Sequence, residues 1–210
     1  MFVDCSFSIT LQFSDVKHNF ILHYAAALLV LLVSPAVFSF SELDSRLAAQ
    51  PLEAYVPLIG IILMTPIFMP EQNTAIRDVV MARKTDHELV CFLRLMCSII
   101  TAAVMTGAVV LYMKHCNSDV NIKSYIGSLI SVITLGAAGF AVAGISGNVI
   151  AGYMTSVIYF VLNLSLGNKL GKLYLFSMMN GDLAPKKYLL ALSFILIAIV
   201  FVYRKLFGRR

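Results

Sequence analysis

The 210-residue sequence predicts an all-α polytopic membrane protein with six transmembrane helices. Three observations predict it. Hydrophobic residues make up 60% of the chain and charged residues 13%, where soluble domains run at roughly 45–50% and about 25%. The apolar residues gather into six runs near the length that a ~30 Å hydrocarbon core requires at ~1.5 Å per residue. The eleven acidic residues fall between these runs or at their ends.

Residues 1–18 alternate small polar and apolar side chains and are too polar to cross a membrane. The first span is expected at residues 20–40, which carry no charge. A cleaved signal peptide is disfavoured by the length of the run and by Phe38 and Phe40 around any cleavage point. Residues 41–53, with Glu42, Asp44, Arg46 and Glu53, read as a polar connection. The second span, residues 54–69, contains Pro57 and Pro66 and is followed by Pro70. Such prolines bend a membrane helix, and neighbouring groups satisfy the carbonyls they free.

The third span is expected at 89–113, with Arg94 snorkelling from near its start. After the polar turn at 114–123 comes the fourth span at 124–142, whose end is rich in Gly and Ala from Gly136 to Gly147. Small residues let membrane helices approach closely. The short connection at 144–148 makes an antiparallel hairpin with the fifth span, 149–166. Residues 167–187 have an apolar centre yet are too short to cross and return. They read as a half-inserted, re-entrant external element carried by Leu173 and Phe176 and broken at Asn180-Gly181. The sixth span, 188–203, ends in the basic tail RKLFGRR.

The polar interval from Pro70 to Arg94 stands apart, being long and flanked on both sides by membrane-grade apolar sequence. Ile76, Val79 and Val80 share one helical face, with Arg77, Asp78 and Lys84 largely opposite, so an amphipathic surface helix is expected. Thr85 and Glu88 have capping-box spacing ahead of the third span.

In these features the chain resembles the permease subunit of a type-2 ATP-binding-cassette exporter, the six-span class without a fused ATPase. In that family a Glu follows the second span, then a helix with an acidic residue and a closing basic pair, then a third span opening on a basic residue. Glu71, Asp78, Arg83-Lys84 and Arg94 match those positions. The resemblance implies a type V exporter-like fold with a cytoplasmic coupling helix, and a broken helix pair before the last span. It also implies two copies of a separate ABC ATPase, which binds ATP and Mg, and a second permease copy or homologue. Glu71, Ile76, Arg77, Asp78, Val79, Val80, Arg83 and Lys84 would contact the ATPase. This chain would be non-catalytic, hold no cofactor, contact membrane lipid and bind no nucleic acid.

Orientation follows the basic residues. Six spans put both termini on one side with Lys17, Arg77, Arg83, Lys84, Arg94, Arg204, Lys205, Arg209 and Arg210, nine against the seven at Arg46, Lys114, Lys123, Lys169, Lys172, Lys186 and Lys187. That side is expected to be the cytoplasm. The absence of a carboxylate from the middle of any run argues against an ion-coupled carrier. His18, His23, His87 and His115 are scattered, the four cysteines have no metal or pairing pattern and read as small buried hydrophobes, and there is no phosphate-binding loop. Two other classes stay open: a lipid-modifying membrane enzyme, for which Arg94, Asn163 and Asn168 would have to converge, and a membrane immunity or scaffold protein.

Overall fold

Residues 122–146 form the helix on which the others are laid. The computed structural model describes residues 20–40, 43–72 and 87–207. Among these, the helices are α1 (Ile21–Val37), α2 (Ser45–Gln50), α3 (Leu58–Met64), α4 (Met69–Gln72), α5 (His87–His115), α6 (Ile122–Ser146), α7 (Val149–Leu166) and α8 (Ala184–Phe207). Five helical passages are long and apolar enough to cross a membrane: Ser45–Phe68, Leu89–His115, Ile122–Ser146, Val149–Leu166 and Ala184–Leu206. The apolar helix α1, with 17 residues, is shorter and comes first along the chain, so Ser45–Phe68 is the second passage and Val149–Leu166 the fifth. Ile76, Arg77, Asp78, Val79, Val80, Arg83, Lys84 and Thr85 lie outside the described residues, as do residues 1–18; Glu71 belongs to α4, but its side chain is also outside them.

The passages alternate in direction. At one end, the Arg94 guanidinium lies 5.8 Å from the Phe20 ring centre, and Arg204 lies 4.5 Å from that of Phe68. At the other end, Phe40 meets Tyr112 edge-on at 6.0 Å, the Ser118 hydroxyl donates to the Phe40 carbonyl at 2.6 Å, and Asp119 N–H donates to Leu43 O at 2.9 Å. Arg94 is therefore packed inside the protein, 8% exposed, rather than reaching outward as the sequence suggested.

The stripe of small residues on α6 is consumed within the chain. A methyl group at Gly60 of α3 would overlap the Val132 carbonyl of α6, and one at Gly136 would sit 2.7 Å from Gly60 O. Gly152 of α7 and Gly139 approach equally closely, since a Cβ on Gly152 would lie 2.6 Å from Gly139 O. Gly144 faces Val200 of α8 and Phe68. The helix ends at Gly147, whose φ of 66° closes the hairpin, and Asn148 Oδ1 accepts the Ile150 N–H at 2.9 Å to start α7.

Proline shapes the second passage. Between α2 and α3 the chain takes a π-helical turn, Pro51–Tyr55, in which Val56 N–H reaches Pro51 O at 3.0 Å. In that register the next donor would be residue 57, and Pro57 has none. The Leu52 carbonyl accepts the Ser128 hydroxyl of α6 instead, at 2.6 Å. In α1 the Ser34 hydroxyl serves the Leu31 carbonyl, which Pro35 leaves free, at 2.6 Å.

Three further expectations need correction. The second passage begins at Ser45 rather than 54, so Glu53 lies inside it and is fully buried. The last begins at Ala184 rather than 188, so Lys186 belongs to its first turn. Cys97 is exposed, although Cys91 is buried.

Gly60→Ala is expected to destabilise the chain by about 1–3 kcal/mol, because the new methyl meets backbone that cannot move aside. Gly107→Ala, whose Cβ would meet only a Tyr125 ring atom at 3.7 Å, should be neutral or stabilising by up to about 1 kcal/mol. Thermal unfolding of the two purified variants in detergent measures the difference.

Candidate functional site: a segment clamped over one end of the bundle

Between α7 and α8 the chain does not simply return. Residues Gly167–Leu173 form a 3-10 stretch interrupted at Gly171, and Ser177–Asn180 form a second 3-10 turn. Gly167, Gly171 and Gly181 have φ of 53°, 55° and 77°, a region that side-chain-bearing residues rarely adopt, so the segment's path depends on these three. Leu175, Phe176, Ser177 and Met178 between them are buried.

Apolar contacts seat this centre. Leu175 and Phe176 pack with Ile130 of α6 and Leu189 of α8. Phe160 meets Phe176 edge-on at 5.7 Å, and Tyr174 does the same at 5.9 Å. Gly127 of α6 leaves the space that the Met178 thioether fills.

Polar side chains then fix the buried backbone. Asn163, fully buried on α7, accepts Leu175 N–H at 2.7 Å and donates to Tyr159 O at 2.9 Å. The Tyr159 hydroxyl donates to Leu173 O at 2.9 Å. Glu53 reaches in from the second passage: Oε1 accepts Met178 N–H and Oε2 accepts Met179 N–H, both at 3.1 Å. Lys186 Nζ lies 2.5 Å from Glu53 Oε1 and also donates to Ser131 Oγ at 2.5 Å and Leu175 O at 2.6 Å. An ammonium has three donors, and all three are used. Burial, and after it the neighbouring Glu53 carboxylate, push the Tyr174 phenol above its ordinary range.

Of the residues expected in an external element, Phe176 is buried, Leu173 is 43% exposed, Asn180 is exposed, and Gly181 supplies the left-handed turn after the second 3-10 piece. The expected ATPase contacts lie outside the described residues, or, for Glu71, have an undescribed side chain. Arg94 and Asn163 do not converge. Leu95, beside Arg94, belongs to the same buried cluster as Val149 at the start of α7, and Asn163 is fourteen residues further along α7, or about 21 Å. The Asn168 side chain is not described. Among the described residues, no three His, Cys, Asp or Glu side chains are grouped to hold a metal ion.

Sequence reasoning missed Glu53, Lys186, Ser131 and the fixing role of Asn163. A signal for Glu53 was present, since Ala49, Leu52, Val56 and Ile59 form a helical stripe that encloses it. So was one for Lys186: Asp182 followed by Pro185 reads as a helix start, and Asp182 Oδ1 accepts Ala184 N–H at 2.8 Å. No protein-family model, curated protein or solved structure matches the chain.

Asn163→Leu should leave the Leu175 N–H buried without an acceptor, at a cost of about 1–3 kcal/mol. Hydrogen exchange of the purified protein should then be faster at Leu175 and Phe176, while Tyr159→Phe, which removes an exposed hydrogen bond to the Leu173 carbonyl, should change it little.

Proposed function

We propose that this chain is the membrane-spanning permease subunit of an ABC exporter, with six spans in the cell membrane and both termini in the cytoplasm. A separate ATPase, present in two copies, binds and hydrolyses ATP with Mg, and a second permease copy or homologue completes the path. Cargo moves by alternating access. The observation that carries this is the clamped segment at 167–183: it covers one end of a bundle of apolar helices, between the last two passages, where a gate is required.

The amphipathic stretch between the second and third passages supports the same assignment from the sequence side. It gives the ATPase a handle, with Ile76, Val79 and Val80 as apolar anchors and Glu71, Arg77, Asp78, Arg83 and Lys84 as a polar rim. For the ATPase to drive the passages, its nucleotide states must differ in how they contact this handle.

Interfaces of this kind draw most of their energy from a few central anchors, while exposed rim pairs are each worth about 0–1 kcal/mol. Val79→Asp or Val80→Asp should therefore abolish co-purification with an ATPase encoded beside the gene, and the ATPase activity of the complex, whereas Arg77→Ala should do much less. If both survive while the chain stays folded in the membrane, the stretch is a tether and the exporter assignment loses its coupling site.

Orientation has its own test. In a cysteine-free background, single cysteines at positions 44, 117 and 182 should react with an impermeant thiol reagent added outside intact cells, and those at 84 and 207 should not. Reaction at 84 would reverse the topology.

A further inference from the structure

We infer that the Glu53–Lys186 pair is a latch: it holds residues 167–183 seated, and the segment lifts off the bundle about Gly167, Gly171 and Gly181 only when the pair comes apart. Its role as the outer gate of a transport path rests on the exporter assignment; the latch itself rests on geometry.

Each half of the latch grips the segment and a different passage. Glu53, in the second passage, takes the Met178 and Met179 amides. Lys186, in the first turn of α8, takes the Leu175 carbonyl and is tied to α6 through Ser131. A shift of the second passage against α8 cannot preserve both grips. Glu53 and Lys186 are only 0% and 2% exposed, so neither charge finds water while the segment stays seated. Separation inside is therefore strongly opposed, and once the pair opens, hydration of both groups favours the lifted state. This gives two discrete positions rather than a continuum.

The remaining attachments differ in kind. Asn163 and Tyr159 tie Leu175 and Leu173 to α7, so lifting about Gly167 and Gly171 breaks these two neutral bonds as well, each weaker than the charged grips. Apolar contacts hold Leu175, Phe176 and Met178, and these carry no direction or charge of their own. The three glycines have open space at their Cβ positions and backbone angles that other residues resist. They bracket the buried centre on both sides, as hinges would.

The test uses the full chain in native membranes, with its four cysteines replaced and Ser177→Cys introduced. Ser177 is 1% exposed, so the parent should label very slowly with impermeant maleimide given access to both faces of opened membranes. Lys186→Met keeps the length of the side chain and removes the charge, and Glu53→Gln keeps one acceptor. Each should raise the labelling rate roughly tenfold or more. The thiol of Ser156→Cys, at a fully buried position between α6 and α7, should stay unreactive in the same backgrounds. Unchanged labelling at position 177 in both variants, with the protein present in the membrane at parental level, would overturn the latch. Labelling that rises equally at 156 would overturn it too, since the pair would then hold the whole fold. None of these readouts requires an ATPase. If no ATPase co-purifies, the exporter assignment fails while the latch is judged on labelling alone.

Discussion

A carboxylate and an ammonium buried together are held in place by the demands of the charges themselves. Moving either ion from water into a protein interior costs several kcal/mol, and mutual attraction offsets this only when the remaining donors and acceptors are also filled. Glu53 and Lys186 meet that condition through Met178 N–H, Met179 N–H, Ser131 Oγ and Leu175 O. Those partners come from α6 and from the segment between α7 and α8, so satisfying the two charges fixes the segment against the second passage, α6 and the start of α8. The 3-10 turn at Ser177–Asn180 presents the two amides that a carboxylate needs. The path of the loop and the burial of the pair are thus one constraint seen from two sides.

The same demand governs the backbone elsewhere. Each proline inside a helical passage removes a donor, and without water nearby the freed carbonyl must be served by protein. Ser34 serves Leu31 within its own helix, whereas Ser128 crosses from α6 to serve Leu52. The crossing bond lies one residue from Glu53. The π-helical turn that displaces the Leu52 carbonyl therefore sits where the carboxylate has to be aimed, and a distorted turn next to a buried charge is an arrangement expected of a functional region rather than a simple span.

What could be read from the sequence, and what could not, divides along the range of the interaction. The all-α character and the apolar passages were legible because they depend on local composition; the fifth passage ends where expected, at 149 and 166, because Asn148 and Gly167 punctuate it locally. The hairpin at Gly147 was legible for the same reason. The second and last passages start earlier than expected because Glu53 and Lys186 were weighed as solvent-seeking charges. Each is acceptable inside only because the other is there, and no local window contains both. The candidate site was half legible: the apolar centre around Leu175 and Phe176 stands out in the sequence, but the side chains that clamp it come from passages distant in the chain. Of the small residues on α6, the sequence revealed the tendency to pack closely. That Gly136 would face Gly60 and Gly144 would face Phe68 and Val200 required the three-dimensional arrangement.

Burial is uneven across the bundle, and that unevenness bears on how it is held together. In the most apolar windows of the second passage and α6, 78% and 67% of residues are buried, against 22% in α7 and 17% in α8. Helices this apolar and this exposed need an apolar surrounding, and a bilayer is compatible with that. In such a surrounding, Leu and Ile gain nothing by leaving lipid for protein, so the hydrophobic effect cannot tell α7 and α8 where to sit. Close approach and polar contacts must do so. For α7, these are Gly152 against Gly139, the Ser156 hydroxyl on Leu135 O at 3.0 Å, and Asn163 on the segment. For α8, they are Gly144 against Val200, the Thr134 hydroxyl on Leu189 O at 3.3 Å, and Lys186. Lys186 brings a buried ion pair to the α8 set, and it stands at the end where the segment is seated. The position of α8 at that end and the seating of the segment therefore rise and fall together, whereas its opposite end, held by packing at Gly144 and by Arg204 over Phe68, can keep its place while they change.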